Sequence, residues 1–193
     1  MTLASRSSLL RLEPPRDARL TLPRWAGGDS YDHAMTIDAL LPPDWPAVRT
    51  IFEEGLDIGT FEELVPTWDE WNRGHLVWPR LVARDDGEVI GWAALAPYSE
   101  RSCYRGVAEN SIYIARSARG RGVGRALLER LCREADAAQI WTIQAGILAA
   151  NEASIALHTE CGFRLVGVRE KPARKRGRWS DVVLMERRSP LRD

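Results

Sequence analysis

Arginine and glycine are concentrated between Arg116 and Arg125, in the stretch RSARGRGVGR that precedes a leucine-rich run. Apolar residues before the stretch alternate as in a strand, and the leucines after it repeat at helical spacing. A turn from a strand into a helix exposes backbone N–H groups and the positive end of the helix dipole, so it is a natural anion site. Such a turn fits three uses: holding a phosphate, touching nucleic acid, or simply joining a strand to a helix.

Two common phosphate-binding patterns do not fit this turn. A mononucleotide P-loop needs Lys and then Ser or Thr after its last glycine, whereas Gly124 is followed by Arg125 and Ala126. The dinucleotide fingerprint needs a third glycine where Arg125 stands, and its sheet is parallel whereas the strands before this turn read as antiparallel. The pattern that remains is Arg119-x-x-Gly122-x-Gly124.

A second motif follows the next apolar run and consists of Asn151, Ser154, His158 and the pair Gly162-Phe163. Together the two motifs resemble those of the Gcn5-related N-acetyltransferase (GNAT) superfamily, in which many members carry Tyr where His158 stands. The resemblance implies acetyl-coenzyme A (acetyl-CoA) as co-substrate, and no metal. It also implies an α/β fold whose mixed, mainly antiparallel twisted sheet is splayed around the cofactor, with flanking helices.

Four further segments resemble the phosphinothricin and methionine sulfoximine acetyltransferase branch of that superfamily. They are GTFEELVPTW (59–68), RSCYRGVAENSIYI (101–114), LHTECGF (157–163) and KRGRWSD (175–181), within a resemblance that runs from residue 36 to about residue 186. Two residues depart from the branch pattern. Arg176 stands where an aromatic residue is usual, and Gly106 stands where a bulkier residue is common, so the resemblance does not fix the detailed shape of the acceptor pocket or the substrate.

The resemblance implies an enzyme that moves acetyl from acetyl-CoA to the amino group of a small, amino-acid-like toxin. Phosphinothricin, methionine sulfoximine, methionine sulfone and related glutamate analogues are the candidates, in a detoxifying reaction carried out by a cytoplasmic homodimer. Two alternatives stay open: the same fold acting on a polyamine, an aminoglycoside or a protein N-terminus, and a coenzyme-A-binding regulatory protein without turnover. The intact loop and Glu109 favour an enzyme.

Acetyl transfer to an amine needs a proton acceptor for the amine and a proton donor for the departing thiolate. By the resemblance, Glu109 in the strand before the loop is the base and His158 is the acid. Each has a plainer reading. Glu109 could be a solvated strand carboxylate, and His158, among Ile155, Leu157 and Cys161, could be a packed histidine with one structural hydrogen bond.

The cofactor-binding residues follow from the same resemblance. Backbone N–H groups of one strand segment would hold the pantetheine arm and the acetyl oxygen, and the glycine turn would hold the pyrophosphate. Asn151 would orient its helix or bond the pantetheine, with an ordinary helix cap as the alternative. The full set is Ile112, Tyr113, Ile114, Arg119, Gly120, Arg121, Gly122, Val123, Gly124, Asn151 and Ser154.

The acceptor residues implied by the branch are Arg101, Tyr104 and Arg105, which would contact the carboxylate and second oxyanion of a glutamate analogue. Guanidinium groups suit such oxyanions because they bond them in pairs. Phe61 would form an apolar wall, with ordinary core packing as the alternative. The segment REKPARKRGRWSD (169–181) is basic, but it lacks the interleaved aromatic residues of RNA-binding surfaces. A solvated loop between two strands is expected there, and no nucleic-acid partner.

The elements that must position these residues are mixed. A short strand and a helix beginning near Asp44, capped by its carboxylate, come first, followed by a short helix capped by Thr67. Asp86-Gly87 between two apolar runs predicts a β-hairpin. A strand through Glu109, the helix after Gly124 and a buried strand then form a strand-helix-strand unit. A last helix ending at Gly162 and two more strands complete the α/β order.

Composition narrows the class of protein. The 193 residues fit one main domain, and 27 basic side chains balance 27 acidic ones, so net charge names no partner. No apolar run approaches the roughly 20 residues that span a bilayer, and three cysteines without CxxC spacing predict neither a zinc site nor a disulfide framework. We expect an N-terminal arm over 1–34, disordered or a non-native start, one domain over 35–188 and a tail over 189–193.

Overall fold

A computed structural model describes residues 35–56 and 60–191, together with the backbone of 20–21. The expectations for the rest of the arm and for the last two residues lie outside the described residues. Leu20 and Thr21 form β1, a two-residue strand that pairs antiparallel with β2, Thr36–Ala39. The described part of the arm thus extends the edge of the sheet.

The described chain is α/β, as predicted. Its helices are α1 (Trp45–Gly55), α2 (Trp68–Gly74), α3 (Val123–Ala137) and α4 (Glu152–Glu160), with single 3-10 turns at Pro42–Asp44, Ser102–Tyr104 and Arg116–Ala118. The remaining strands are β3 (Arg80–Asp85), β4 (Glu88–Pro97), β5 (Val107–Ile114), β6 (Thr142–Leu148), β7 (Arg164–Lys175) and β8 (Arg178–Arg188). They form one open sheet in the order β1-β2-β3-β4-β5-β6-β8-β7.

The sheet is antiparallel except between β5 and β6, which are parallel neighbours joined by α3. These two strands pair only over Val107–Glu109 and Thr142–Gln144. Beyond that point β5 continues along β4 as far as Ile114, while β6 continues along β8. The two strands therefore separate in mid-sheet and leave a cleft, which is the splayed sheet that the resemblance implied.

The hairpin predicted at Asp86-Gly87 is confirmed. Both residues have positive φ, 50° and 84°, as a tight two-residue hairpin turn requires, and the turn joins β3 to β4. The predicted cap of α2 is confirmed as well, because the Thr67 hydroxyl accepts a hydrogen bond from the Glu70 N–H while the Glu70 carboxylate reaches back to the Thr67 N–H.

Two local predictions are wrong. The Asp44 carboxylate does not cap α1: it accepts hydrogen bonds from the Leu41 N–H at 2.9 Å and from Arg84 at 2.7 Å, because a 3-10 turn precedes the helix and turns the side chain towards β3. The basic segment 169–181 is not a loop. It forms the outer half of the long β7–β8 hairpin, which turns only at Arg176 and Gly177.

Helices cover both sides of the middle of the sheet. On one side α1 buries Val48, Ile51 and Phe52, and on the other α3 buries an apolar face at helical spacing that includes Leu127, Leu128 and Leu131. The middle strands β3 and β4 are buried over most of their length. A rigid central sheet therefore holds the end of β5, where the candidate site lies.

No helix among the described residues has the length and apolar character needed to cross a membrane.

Candidate active site

The cleft between β5 and β6 opens into a cavity of about 1280 Å³. Most residues predicted for the site line it. They are Phe61, Glu109, Ile112, Tyr113, Ile114, Arg119, Gly120, Arg121, Gly122, Val123, Gly124, Asn151, Ser154 and His158. The structure therefore brings residues of both sequence motifs and the candidate base Glu109 together in one cavity. These residues are distant in sequence: Asn110, the neighbour of Glu109 on β5, lies 48 residues before His158 of α4.

The glycine turn forms one end of the cavity. Gly120 and Gly122 have φ of 73° and 79°, and a Cβ added to either would meet no atom within 4 Å. Gly122 is also the N-cap of α3, and no side chain caps that helix end. Unpaired backbone N–H groups and the helix dipole thus face open space, which is the environment that a pyrophosphate requires.

The arginines of this turn are held by the protein. Arg119 donates through Nε to the Ile114 carbonyl at 3.2 Å, and Arg121 pairs with Asp85 at 2.7 Å. The first contact ties the turn to the end of β5, and the second ties it to the β3–β4 hairpin. Both fix the turn's conformation while leaving positive charge at the mouth of the cavity.

The free edge of β5 supplies backbone donors. The Ala115 N–H donates to the Ile90 carbonyl of β4 at 2.9 Å. Because N–H groups alternate from side to side along a strand, those of Ile112 and Ile114 point the other way, towards the cleft. The Tyr113 N–H points to β4, so its predicted role as a backbone donor to the cofactor does not fit this geometry.

The side chain of Tyr113 closes the cavity on the α1 side instead. Its ring packs against the rings of both Phe52 and Trp92, at centroid distances of 4.7 and 4.6 Å, and its hydroxyl lies 2.6 Å from Thr60 Oγ1. Burial raises the pKa of Tyr113 to about 12, so the hydroxyl stays protonated. Gly55 makes this packing possible, since a Cβ there would lie 2.6 Å from the Tyr113 ring.

Glu109 lies where β5 and β6 part. Side chains alternate along a strand, so Glu109 shares a face with Tyr113, while Asn110 and Ile112 share the opposite face. A Cβ on Gly146 of β6 would lie 3.5 Å from Glu109 Oε1 and 4.0 Å from the Phe61 ring, which places the three residues together. The side chain is exposed to the open cleft, yet the cleft walls withhold enough solvent to raise the pKa of Glu109.

Asn151 adopts the plainer of its two predicted roles. Its Oδ1 accepts a hydrogen bond from the Ser154 N–H at 3.1 Å, so it caps α4. The cap also places Asn151 and Ser154 at the wall of the cavity. His158, one turn further on, is 2% exposed, and both of its ring nitrogens have partners.

Three predicted acceptor residues do not line the cavity. Arg101, Tyr104 and Arg105 lie on or beside the 3-10 turn between β4 and β5, outside its wall. Tyr104 packs edge-on against Tyr98, and the Arg105 guanidinium lies over the Trp141 ring at 5.4 Å. Gly106 allows that arrangement, because a Cβ there would come within 2.1 Å of Trp141.

Three residues that matter to the cavity were not predicted: Thr60, Asn110 and Gly146. A glycine inside a buried strand often marks a close approach of another group, so Gly146 carried a usable signal. Asn110 and Thr60 carried none, because their partners are distant in sequence. Within the described residues, no group of three or more His, Cys, Asp or Glu side chains could hold a metal ion.

The splayed sheet and the glycine turn at a helix N-terminus define an acyl-coenzyme-A-binding transferase. The acetyltransferase (GNAT) family model matches residues 45–163, and the chain belongs to this family. Acetyl-CoA is the co-substrate of such enzymes, and the cleft fits it because the space at Gly122 is open and β5 has an unpaired edge beyond Glu109.

Named relatives are similar over most of the chain. A phosphinothricin N-acetyltransferase from Alcaligenes faecalis is 37% identical over 174 residues, which are 86% of this chain and 88% of that protein. An L-methionine sulfoximine/L-methionine sulfone acetyltransferase from Pseudomonas aeruginosa is 37% identical over 56% of this chain and 64% of its own. The crystal structure of a phosphinothricin acetyltransferase from Sinorhizobium meliloti in complex with AcCoA has a TM-score of 0.73 at 33% identity, covering 80% of this chain and 88% of that one.

Proposed function

We propose that this acetyltransferase acetylates the amino group of a small amino-acid-like acceptor of the phosphinothricin or methionine sulfoximine type, as a detoxifying reaction. The observation that carries the proposal is the position of Glu109, at the junction between the cofactor cleft and the pocket beside Phe61. The relatives that are 37% identical act, by their names, on such acceptors.

Each end of the cavity has a distinct task in this proposal. The glycine turn and the first turn of α3 hold the pyrophosphate, and the Ile112 and Ile114 N–H groups hold the pantetheine arm and polarise the acyl carbonyl. Bound acetyl-CoA supplies the activated thioester. Phe61, Thr60 and Tyr113 form the wall against which the acceptor's carbon chain packs.

Glu109 takes the proton of the attacking amine. An alkylammonium ion has a much higher pKa than a carboxylic acid, and desolvation narrows that gap because it raises the pKa of Glu109. The face that carries Glu109 opens towards Phe61, whereas the other face of β5 meets α4. The amine therefore approaches from the Phe61 side, opposite the helix that lines the cofactor.

A thiol-release assay at saturating acetyl-CoA tests the proposal. We expect turnover with phosphinothricin, methionine sulfoximine and methionine sulfone, and none with their N-acetylated forms. Glu109→Gln serves as the matched control, because it keeps the shape of the side chain and removes the proton acceptor. Turnover with none of the three acceptors, in protein that binds acetyl-CoA by calorimetry, would reject this acceptor class.

A second acceptor class, cationic amines, is favoured by one observation. The acceptor end of the cavity is lined by Glu62 and Glu70 as well as Glu109, and no Lys or Arg among the described residues lines that end. Lys175 lies behind the wall, donating to the Leu56 and Thr60 carbonyls at 2.7 Å. A polyamine and an aminoglycoside belong in the same assay, and a preference for them would identify this class.

We also infer a homodimer. Strand β7 lies at one edge of the sheet and exposes Leu165, Val166 and Val168 at 59%, 45% and 56%. Further along the same hairpin, Trp179 of β8 is 58% exposed. Edge strands with exposed apolar side chains favour pairing with another chain. Light scattering after gel filtration should give twice the chain mass, and Val168→Lys should shift the protein towards monomer. A wild-type monomer would contradict the inference.

A further inference from the structure

One side-chain contact bridges the two walls of the cofactor cleft at the point where the sheet opens. β5 loses its partner β6 after Glu109, and the next residue, Asn110, donates from Nδ2 to His158 Nε2 of α4 at 3.0 Å. Backbone pairing between β5 and β6 thus gives way to a side-chain link between β5 and α4. The contact lies between the two elements that must hold the cofactor from opposite sides.

The hydrogen bonds of His158 fix its protonation. Nδ1 lies 2.7 Å from the Ser154 carbonyl, which can only accept, so Nδ1 carries the proton. Nε2 then accepts from the Asn110 amide. The ring is 2% exposed, packs edge-on against Phe163 at 4.9 Å, and burial lowers the pKa of His158. A neutral histidine whose only N–H is already donated has no proton to offer a thiolate.

The attachment of α4 depends on this residue. His158 is the one buried residue among the nine described for α4. On the same helix Ser154 and Leu157 are half-buried and line the cavity, and Leu157 lies 3.3 Å from where a Cβ on Gly124 would be. Moving His158 would shift Leu157 against the glycine turn and Ser154 against the pantetheine channel.

We propose that Asn110 is a positioning residue for acetyl transfer, and that it acts through His158. It holds His158 as the neutral Nδ1–H tautomer, and the pair fixes α4 at the separation from β5 that acetyl-CoA requires. His158 is accordingly a structural link and not the acid that protonates the thiolate. This inference rests on acetyl-CoA-dependent transfer and not on the identity of the amine.

The Asn110 side-chain amide can donate to His158 Nε2 only while the His158 ring is neutral and Nε2 carries no proton. Its Oδ1 is buried and accepts no hydrogen bond from any described residue. Asn110→Asp would set a carboxylate against the lone pair of Nε2, which is repulsive unless the ring takes a second proton. The variant therefore separates the two roles: a proton-donating His158 would tolerate or benefit from it, whereas a positioning link would be disturbed at neutral pH.

Steady-state kinetics on four variants of the full chain test the proposal. Asn110→Ala should raise the KM for acetyl-CoA about threefold to tenfold, the affinity equivalent of one lost hydrogen bond, with a smaller change in kcat. Thr159→Ala is the matched control, since it removes a hydrogen bond within the same helix, 2.9 Å to the Ile155 carbonyl, without touching β5. Its KM should be unchanged.

His158→Gln distinguishes a structural link from an acid. A glutamine amide can donate to the Ser154 carbonyl and accept from Asn110, but it does not titrate, so kcat and the alkaline limb of its pH profile should be retained. Asn110→Asp should raise the KM for acetyl-CoA at pH 7. Loss of kcat by about a hundredfold in His158→Gln, with normal acetyl-CoA affinity, would overturn the proposal.

A spectroscopic measurement on the wild-type protein completes the test. ¹⁵N shifts of the histidine rings in the wild-type protein should show one ring, assigned to His158 by its absence in His158→Gln, that is neutral with Nδ1 protonated at pH 7. An Nε2-protonated ring or an imidazolium at pH 7 would contradict the proposal, as would an unchanged KM in folded Asn110→Ala. Failure of every amine as an acceptor would concern the proposed function alone.

Discussion

Glu109 of β5 faces Gly146 of β6 across the point where the two strands part, and a Cβ on Gly146 would lie 3.5 Å from Glu109 Oε1. The same Cβ would lie 3.7 Å from Val182 and 4.0 Å from Phe61. A single hydrogen atom at position 146 thus keeps open the space between the candidate base and the candidate acceptor wall. In the proposed reaction, that space is where the amine meets the thioester.

Enlarging Gly146 should therefore impair acetyl transfer in proportion to the size of the side chain. Gly146→Ala places its Cβ at ordinary contact distances and should stay near wild type. Gly146→Val adds methyl groups towards Glu109 and Phe61, and a displacement of about 1 Å at reacting groups can cost about a hundredfold in rate. Initial rates at varied acceptor concentration measure the effect. Equal rates for both variants would show that the amine approaches elsewhere.

Gly122→Val should weaken acetyl-CoA binding. The backbone at Gly122 has φ of 79°, which a β-branched residue adopts only under strain, and its side chain would enter the open space in front of α3. Gly177→Val is the matched control, since Gly177 has φ of 78° and equally open surroundings but lies in the β7–β8 turn. Calorimetry should show at least about a tenfold loss for the first. A similar loss of acetyl-CoA affinity in Gly177→Val would show that backbone strain, and not the blocked space in front of α3, causes the effect.

The sequence predicted the cofactor side of the site better than the acceptor side. Gly122 and Asn151 act through the backbone and a helix cap, which follow from short-range spacing, and both lie where the motifs placed them. Arg101 and Arg105 were assigned by the resemblance alone. Arg105 and Gly106 lie against Trp141, a contact that Gly106 permits and local sequence cannot reveal.

The fold was predictable for a similar reason. The Asp86-Gly87 turn and the Thr67 cap are local, and both formed as expected. The basic segment around Arg174 was misassigned because its charges resemble those of a loop. Pairing with β8, Arg174 opposite Trp179, makes it a strand. Tertiary pairing of this kind overrides composition.

Stability should depend on one ion pair that joins α3 to β8. Arg187 donates to both oxygens of Asp136, at 2.9 and 2.8 Å. Burial raises the pKa of Asp136, but the hydrogen bonds from Arg187 and Ser189 and the Arg187 charge outweigh it, so the net pKa is lowered. A depressed carboxyl pKa contributes stability above the unfolded value, which is lost as pH falls through the folded value.

The thermal midpoint should therefore fall as the pH drops below about 4, and part of that fall should vanish in Asp136→Asn. The variant should also be less stable at pH 7, because Arg187 is left half-buried without its carboxylate. Glu63→Gln, on an exposed loop, is the control and should follow the wild-type curve. If the thermal midpoint depends on acid pH identically in wild type and Asp136→Asn, the Asp136–Arg187 ion pair does not contribute to acid unfolding.

Glu109→Gln is the variant on which the proposed chemistry most depends. It preserves the shape of the side chain while removing the proton acceptor, and general-base catalysis typically contributes about a hundredfold to ten-thousandfold. We expect turnover to fall within that range at saturating acetyl-CoA. Affinity for acetyl-CoA should stay normal, because the carboxylate lies on the face of β5 opposite the α4 contact.

Two pH effects distinguish a base from a solvated carboxylate at this position. The pKa of Glu109 is raised by desolvation, so the acidic limb of the wild-type rate profile should lie above the ordinary glutamate value of 4.5, and Glu109→Gln should lack that limb. A carboxyl whose folded pKa is raised lowers stability once pH exceeds its unfolded value, because the folded state binds the proton more tightly. The variant's thermal midpoint at pH 7 should thus equal or exceed that of the wild type. Near-normal turnover with an unchanged acidic limb would show that the base lies elsewhere in the cavity.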